Sequence, residues 1–157
     1  MIIREATARD YGALGEILEE ADRLHRENLP GRFRRPEGPV RAREYLLSLM
    51  ADPDVALFLA LEEERLVGVV HVLIRETRDI PILVSRRYGL VENLVVREGL
   101  RRTGIGSALM KRAHGWAKSR GATEIELNVY EFNQSAIGFY RKLGYATISR
   151  YMGKALT

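Results

Sequence analysis

The 157-residue chain has no cysteine, few aromatic residues and no long apolar run. Without cysteine it can form no disulfide and no thiolate metal site, and it cannot transfer an acyl group through an acyl-cysteine. Aromatic residues are 8% of the chain against 46% hydrophobic residues in all, so aliphatic side chains supply most of one sizeable core. No apolar stretch approaches the roughly 18 residues of a membrane span, and no signal segment follows Met1. We therefore expect a soluble, cytoplasmic protein.

The chain also lacks a large excess of charge of one sign, since it has 25 basic and 21 acidic residues and the two kinds are interspersed. A net charge of +4 suits a small polyanionic ligand better than nucleic acid, which calls for a concentrated basic face. His25, His71 and His114 lack metal-ligand spacing, so we predict no metal site and interpret them as structural or surface residues. The length and the absence of repeats and linkers predict one domain over residues 1–157.

The most informative stretch of the chain lies between residues 91 and 116. Its first six residues form an apolar, partly β-branched run, which predicts a buried strand that ends at the charged pair Arg97 and Glu98. From Ile105 to Ala117 the apolar residues recur at every third or fourth position. This spacing predicts a helix that packs one face against a sheet.

Between this strand and this helix lies the segment Arg101-Arg102-Thr103-Gly104-Ile105-Gly106. Two glycines at a helix start allow close approach of the backbone to a ligand, and the first helical N–H groups have no intrahelical acceptor. The preceding arginines add positive charge, so the segment predicts a phosphate or pyrophosphate site. It is neither a P-loop, since no Gly-Lys-Ser/Thr follows, nor a dinucleotide fingerprint, since Leu109 occupies the third glycine position.

The pattern Arg101-x-x-Gly104-x-Gly106, after a strand that carries Glu92, resembles the acetyl-CoA-binding motif of the GCN5-related N-acetyltransferases. A second pattern lies nearer the C-terminus, where Leu127-x-Val129 precedes Asn133-x-x-Ala136-x-x-Phe139-Tyr140-x-x-Leu143-Gly144-Tyr145. This pattern resembles the closing motif of the same family.

The remaining elements follow from periodicity and from breaker residues. We predict a strand at 1–6, helices at 11–25 and 40–50 around an irregular loop at 28–39, hairpin strands at 55–61 and 66–74, a long connection at 75–87, a strand at 123–129, a helix at 133–143 and a final strand at 145–152. The resemblance implies an α/β (α+β) fold of the acyl-CoA N-acyltransferase type in the order β-α-α-β-β-β-α-β-α-β. In that fold a mixed, mostly antiparallel central sheet splays apart at the cofactor site.

The resemblance also implies roles for particular residues. The backbone of Leu94, Val95 and Val96 would bind the pantetheine arm of acetyl-CoA. The cofactor-binding residues it implies are Arg101, Arg102, Thr103, Gly104, Ile105, Gly106, Ser107, Asn133, Ala136 and Tyr140. Arg101 and Arg102 could instead be solvated loop charges, and Asn133 could serve as an ordinary helix N-cap as well.

Two side chains are candidates for proton transfer. Glu92, flanked by apolar strand residues, is expected to be partly desolvated, which suits a general base that acts directly or through a water. The alternative is a surface glutamate paired with an arginine such as Arg97. Tyr140 is the candidate acid that protonates the CoA thiolate, and the alternative is a plain core aromatic.

Together these features predict an N-acetyltransferase that moves the acetyl group of acetyl-CoA directly to a primary amine, in a ternary complex without a metal. The acceptor stays open, because acidic residues such as Glu19, Glu20, Glu27 and Glu44 favour a polycation whereas Arg32, Arg34, Arg35, Arg86 and Arg87 favour a carboxylate-bearing amine. A protein or peptide N-terminus is a second acceptor class. A non-catalytic acyl-CoA sensor is the alternative function, and family habit suggests a homodimer.

Overall fold

A computed structural model describes all residues of the chain, 1–157. Its elements in chain order are β1 (Ile2–Glu5), a 3-10 turn (Ala8–Asp10), α1 (Tyr11–Asn28), α2 (Arg43–Ala51), β2 (Val55–Glu62), β3 (Arg65–Glu76), β4 (Arg87–Val96), α3 (Ile105–Ser119), β5 (Glu124–Leu127) and α4 (Gln134–Lys142). None of the helices combines the length and the apolar character needed to span a membrane. The predicted order of elements is confirmed as far as α4.

The five strands form one sheet in the order β1-β2-β3-β4-β5. All neighbours are antiparallel except β4 and β5, which are parallel. The β2–β3 hairpin turns at Glu63 and Glu64, both with positive φ, as a two-residue turn that matches the strand twist requires. The predicted mixed, mostly antiparallel sheet is therefore confirmed.

Each face of the sheet is covered by helices, because α1 and α3 both carry apolar stripes. On one face α3 packs Leu109, Met110 and Ala113 against Phe58, Val70 and other strand residues. On the opposite face α1 and α2 pack Leu14, Ile17 and Leu46 against the other side of the same strands. Burial on both faces explains why β2 and β3 are almost continuously apolar rather than alternating.

Strand β4 changes character halfway along its length. Its first half pairs with β5, from Tyr88 opposite Glu124 to Val91 opposite Leu127. From residue 92 to residue 96, β4 keeps its pairing with β3 but has no partner on the β5 side. No backbone hydrogen bond joins β4 to residues 128–130, which follow β5. The predicted splay of the central strands is confirmed as this gap, which we call the β4–β5 cleft.

The predicted final strand at 145–152 is wrong for the isolated chain. Residues 145–157 have no regular secondary structure, because after Tyr145 no backbone N–H or carbonyl in this segment forms a hydrogen bond with the rest of the sheet. The strand order thus ends at β5. Smaller differences concern bounds: β4 begins at Arg87 instead of residue 91, and α2 begins at Arg43 instead of residue 40.

Candidate functional site

The loop that leads into α3 is held in an unusual backbone conformation. Gly99, Arg102 and Gly104 have φ values of 86°, 64° and 90°. Gly104 is the N-cap of α3, and its left-handed conformation turns the chain into the helix without a side-chain cap. The Thr103 hydroxyl donates to the Leu100 carbonyl and fixes the turn from within. Amides that alternate between right- and left-handed conformations converge on one side, which is the geometry of an anion-binding concavity.

The backbone N–H groups of residues 101–107 are all free. None of them donates to a backbone carbonyl, and the first bond of the helix runs from the Ala108 amide to the Gly104 carbonyl at 3.0 Å. Arg101 and Arg102 are exposed, and the nearby carboxylates are engaged elsewhere, Glu98 with Arg23 and Glu20 with Arg97. Seven unpaired amides and two uncompensated guanidinium groups therefore form a site of positive potential at the start of α3.

Gly106 joins the two sequence motifs in space. A Cβ at this position would lie 3.2 Å from Phe139 Cζ of α4 and 3.6 Å from Val96 Cγ2 of β4. The absence of a side chain thus lets the first turn of α3 pack directly against α4 and against the unpaired end of β4. The loop before α3 (residues 97–104), the β4–β5 cleft and α4 consequently meet at one place.

Tyr140 lies on α4 beside this junction. Its ring packs against Phe139 and Tyr145, with ring centroids 5.4 and 5.7 Å away, and against the core on the α3 side of the sheet. Desolvation by this packing raises the pKa of Tyr140 to about 12. The Tyr145 hydroxyl is paired with His114 Nε2 at 2.7 Å, whereas the Tyr140 hydroxyl has no hydrogen-bond partner in the protein. Tyr140 is thus a protonated donor that is free to act on a ligand.

Asn133 starts the same helix. Its Oδ1 accepts a hydrogen bond from the Ala136 amide at 3.2 Å, so the N-cap interpretation is confirmed. The cap uses only the side-chain oxygen, which leaves the side-chain amide of Asn133 available as a donor. Contact of Asn133 and Ala136 with a cofactor stays a prediction.

Glu92 occupies the β-bulge of β4. In the ladder with β3, His71 faces Asn93 and Val72 faces Val91, so Glu92 is the extra residue between them. The bulge directs its side chain to solvent, where it is exposed, and the expected desolvation is wrong. The alternative ion pair with Arg97 is also absent, because Arg97 pairs with Glu20 at 3.2 Å and with Glu16 at 3.8 Å. Glu92 is therefore an unpaired carboxylate at the level where the cleft opens.

The charged residues considered as binding groups for the acceptor differ in whether another side chain of the protein already pairs with them. Arg86 is bound to Glu124 and Glu126, Arg87 to Glu76, and Glu19 to Arg26. The opposite charges within each pair neutralise each other, so these residues have little net charge left to bind a substrate. Arg32, Arg34, Arg35 and Glu44 form no ion pair in the protein. The groups that remain free near the loop between α1 and α2 are thus mainly basic.

That loop is attached to the chain after β5 by an aromatic cluster. His25 of α1 lies 5.3 Å from Phe33, 5.6 Å from Tyr130 and 5.7 Å from Phe132 between ring centroids. The cluster fixes the α1–α2 loop over the residues that follow β5, so this loop forms a wall on the far side of the cleft. Of the two roles predicted for His25, structural or surface, the cluster gives it the structural one.

His71 is a residue whose setting was missed at the level of sequence. It is 6% exposed, and its Nε2 atom is buried without any hydrogen-bond partner. His71 borders a cavity of about 20 Å³, room for a water molecule, which is also lined by Arg41, Tyr45, Asn93 and apolar residues that include several of α1 and α2. Desolvation, and to a lesser extent Arg41, lower the pKa of His71 to about 4. The available signal was a single polar residue inside the apolar run of β3.

Comparisons with known proteins agree with this geometry. Residues 18–145 match the sequence model of the acetyltransferase (GNAT) family. An uncharacterized N-acetyltransferase of Methanocaldococcus jannaschii is 32% identical over 104 residues, 66% of this chain and 45% of that protein. The chain spans less than half the length of the curated relatives it matches.

Two solved structures extend the comparison. A tetramutant of the BH1408 protein from Bacillus halodurans superposes with a TM-score of 0.93 at 26% identity, over 99% of this chain and 100% of that one. An aminoglycoside 6'-N-acetyltransferase from Acinetobacter haemolyticus superposes with a TM-score of 0.76 at 18% identity over the full length of both chains. The second likeness concerns the fold alone.

Proposed function

Because the chain belongs to the acetyltransferase (GNAT) family, we propose that residues 1–157 form one catalytic unit that transfers an acetyl group from acetyl-CoA to a primary amine. The transfer is direct, within a ternary complex of protein, acetyl-CoA and acceptor. The acceptor we favour is a small molecule, and the protein acts in the cytoplasm.

One observation carries the proposal: the run of seven free backbone amides at the start of α3 opens beside the unpaired half of β4. The amides of residues 101–107, with Arg101 and Arg102, fit the pyrophosphate of CoA. The unpaired backbone edge of Leu94, Val95 and Val96 fits the amide groups of the pantetheine arm, which pair like a strand. A phosphate site and an adjacent free strand edge together match this one cofactor better than a simple phosphate or a nucleotide.

Acetyl-CoA supplies an activated acyl group as a thioester. The chain orients it and moves protons. Glu92, exposed at the bulge, accepts the proton of the acceptor ammonium directly or through a water. A free amide of the unpaired β4 edge donates to the carbonyl oxygen on which negative charge develops. The Tyr140 hydroxyl, protonated at neutral pH because its pKa is about 12, supplies a proton to the sulfur as the carbon–sulfur bond breaks.

The surroundings of the cleft support a small acceptor. The aromatic cluster of His25, Phe33, Tyr130 and Phe132 fixes the loop between α1 and α2 at the open side, which restricts the space there. The aminoglycoside acetyltransferase that shares the fold acts, by its name, on a small amine. The free basic residues Arg32, Arg34 and Arg35 favour an amine that also bears a carboxylate or another acidic group.

The test is release of free thiol from acetyl-CoA in the presence of amine pools, sorted into amino acids, polyamines, aminoglycosides and peptides. We expect release above the no-acceptor background with at least one small-molecule pool, and its loss with Glu92→Gln and Tyr140→Phe. Glu64→Gln, an exposed glutamate in the β2–β3 turn, is the matched control and is expected to keep full activity. Normal binding of acetyl-CoA without release from any pool would instead indicate a sensor.

A further inference from the structure

Three polar side chains line the cavity between the sheet and helices α1 and α2 and have no hydrogen-bond partner in the protein. They are His71, Asn93 and Tyr45, and we call this space the His71 cavity. His71 is 6% exposed, and its Nε2 is a buried polar atom without a partner. A buried nitrogen that stays unpaired destabilises the folded protein, so a partner for Nε2 is expected among the groups that the cavity admits.

The His71 cavity adjoins the place where the β4–β5 cleft opens. Asn93 belongs to both, because it lines the cavity and lies in the half of β4 that has no partner on the β5 side. It faces His71 directly in the ladder between β3 and β4. It also follows Glu92 in the chain, so the Cα atoms of Asn93 and Glu92 lie about 3.8 Å apart. The cavity is therefore next to the carboxylate proposed as the general base.

The lining of the His71 cavity extends from the core to the surface. Leu14 and Leu46 are 0% and 2% exposed, whereas Tyr45 is 49% exposed. Asn93, between these extremes, is half-buried. A ligand at the surface of the cleft can thus place a group in the cavity, while the rest of the ligand stays outside the core.

The size and charge of the His71 cavity restrict what it can bind. Its volume of about 20 Å³ holds one group of the size of a water molecule. Its one lining residue with a permanent charge, Arg41, is paired with Asp22 at 2.8 Å. Burial lowers the pKa of His71 to about 4, so the ring is neutral at pH 7. A charged group would lose its hydration here without meeting a free opposite charge, so a neutral polar group fits best.

We propose that the His71 cavity binds a hydroxyl group of the acceptor, that His71 and Asn93 determine this specificity, and that the acceptor is an amino alcohol. This inference rests on the proposed function, because it concerns the amine that reacts beside Glu92. A hydroxyl both donates and accepts a hydrogen bond, so it pairs with Nε2 in either tautomer of the ring. It also reproduces the hydrogen bonds of a water that it displaces, which a methyl group does not.

The assignment concerns the part of the acceptor that lies next to its amine. The short distance along β4 between Asn93 and Glu92 requires the hydroxyl and the amine to be only a few bonds apart. An acidic group farther along the same molecule is compatible with it, because Arg32, Arg34 and Arg35 lie on the loop between α1 and α2. The two parts of the acceptor would then be recognised by different elements.

Acceptor pairs that differ by a hydroxyl in place of a methyl group test the specificity. Suitable pairs are threonine and valine, serine and 2-aminobutyrate, and ethanolamine and propylamine. We expect kcat/KM to be about 10- to 100-fold higher for the hydroxyl member, since the methyl analogue leaves a buried polar group unpaired. Equal kcat/KM values within every pair that the wild type acetylates would overturn the proposal.

Variants of His71 assign the discrimination to this side chain. His71→Leu should bring the kcat/KM ratio close to unity, and His71→Gln, whose amide again donates and accepts, should restore part of it. Asn93→Ala, at a half-buried position, should also lower the ratio and provides the test if His71→Leu does not fold. His114→Leu removes a histidine outside the cavity and should keep the ratio. An unchanged ratio in folded His71→Leu, or in Asn93→Ala in its place, would overturn the proposal.

The nitrogen NMR signals of the His71 ring give a readout that does not depend on acetyl transfer. Their absence from the spectrum of His71→Gln assigns them. We expect ethanolamine to shift the Nε2 signal saturably and propylamine to leave it in place. A shift by ethanolamine without thiol release from any amine pool would contradict the proposed function and support the hydroxyl site. An Nε2 signal that neither ethanolamine, serine nor threonine shifts would indicate a permanently bound water and would overturn the proposal.

Discussion

At the scale of single residues, solvent exposure is the chief difference among Tyr140, Glu92 and His71. Tyr140 is largely desolvated with an unpaired hydroxyl, Glu92 is exposed at a bulge, and His71 is buried with an unpaired ring nitrogen. Burial favours the neutral form of both the tyrosine and the histidine. Chemistry that needs a protonated hydroxyl fits Tyr140, while a proton acceptor in contact with water fits the exposed Glu92.

Replacing Tyr140 by phenylalanine removes the hydroxyl and keeps the ring contacts with Phe139 and Tyr145. We expect kcat to fall by about 10²-fold, in the range usual for loss of a general acid, with little change in the KM for acetyl-CoA. Steady-state thiol release measures both constants. Tyr88→Phe, at the end of β4 away from the cleft, should leave kcat unchanged. A Tyr140→Phe variant with wild-type kcat would show that Tyr140 serves only in packing.

His71 should make stability depend on pH. Its folded pKa of about 4 lies below its usual 6.5, so between these values the unfolded chain binds more protons and stability rises with pH. The contribution is complete above about pH 6.5 and is lost as the pH falls toward 4. Arg41 and Tyr45 are the other ionisable side chains that line its cavity.

Urea titrations at pH 7 and pH 5 measure the effect. We expect the wild type to lose roughly 1 to 2 kcal/mol of unfolding free energy from His71 between these values, at about 1.4 kcal/mol per pH unit. His71→Leu should lose correspondingly less over the same interval. An equal pH dependence in both proteins would mean that His71 is not buried in its neutral form.

At the scale of elements, the start of α3 concentrates the features of the proposed cofactor site. The left-handed conformation of Gly104 aims the free amides, and the missing side chain of Gly106 permits contact with Phe139 and Val96. The two glycines serve different purposes, since one supplies a conformation and the other supplies space. Both are therefore needed in the same turn.

Gly104→Ala and Gly115→Ala form a matched pair within this segment. At Gly104, with φ of 90°, alanine should cost about 1 to 2 kcal/mol and weaken acetyl-CoA binding by displacing the amides. At Gly115, inside α3 with nothing near the new Cβ, alanine should stabilise the fold by about 0.5 to 1 kcal/mol. Chemical denaturation and ligand titration of both variants test the pair. Equal effects on binding would contradict a special role for the helix start.

At the scale of the whole molecule, the two halves of the chain supply complementary parts of the proposed site. The region from β4 to α4 supplies the loop before α3, the cleft and Tyr140, and α1 with its following loop supplies the far wall. Since no cysteine is present, the acyl group cannot form an acyl-cysteine intermediate between donor and acceptor. Both substrates should therefore be bound at once.

Initial-rate kinetics test this simultaneous binding. We expect double-reciprocal plots against acetyl-CoA, at several acceptor concentrations, to intersect, because the proposed direct transfer needs both substrates bound together. Parallel lines would indicate a covalent acyl-enzyme and would contradict direct transfer. Dead-end inhibition by desulfo-CoA, competitive with acetyl-CoA, gives an independent check on the cofactor site.

Much of the fold was predictable from the sequence, because its helices and strands are strongly periodic. The stripe from Ile105 to Ala117 specified α3, and the apolar runs of β2 and β3 specified the hairpin. The irregular C-terminal segment was not predictable, because alternation indicates that a segment can form a strand but not whether a sheet edge will pair with it.

The features of the candidate site likewise divide into those that the sequence predicted and those that it did not. The glycines and arginines before α3 were found through their local chemistry. The exposure of Glu92 and the burial of His71 depend on long-range contacts instead. Glu92 is exposed because β4 forms a bulge against β3, and His71 is buried because α1 and α2 pack over the sheet. Neither solvent exposure can be predicted from the neighbouring residues in the sequence.

Calorimetric titration of acetyl-CoA into the wild type and into the double variant Arg101→Glu, Gly104→Asp measures whether the start of α3 binds this ligand. We expect saturable binding to the wild type with one site per chain, and loss of that binding in the variant, which places two carboxylates at the amides of α3. A circular dichroism spectrum like that of the wild type would show that the variant is folded. Failure of the wild type to bind acetyl-CoA, or equal binding by the folded variant, would contradict a cofactor site at the start of α3.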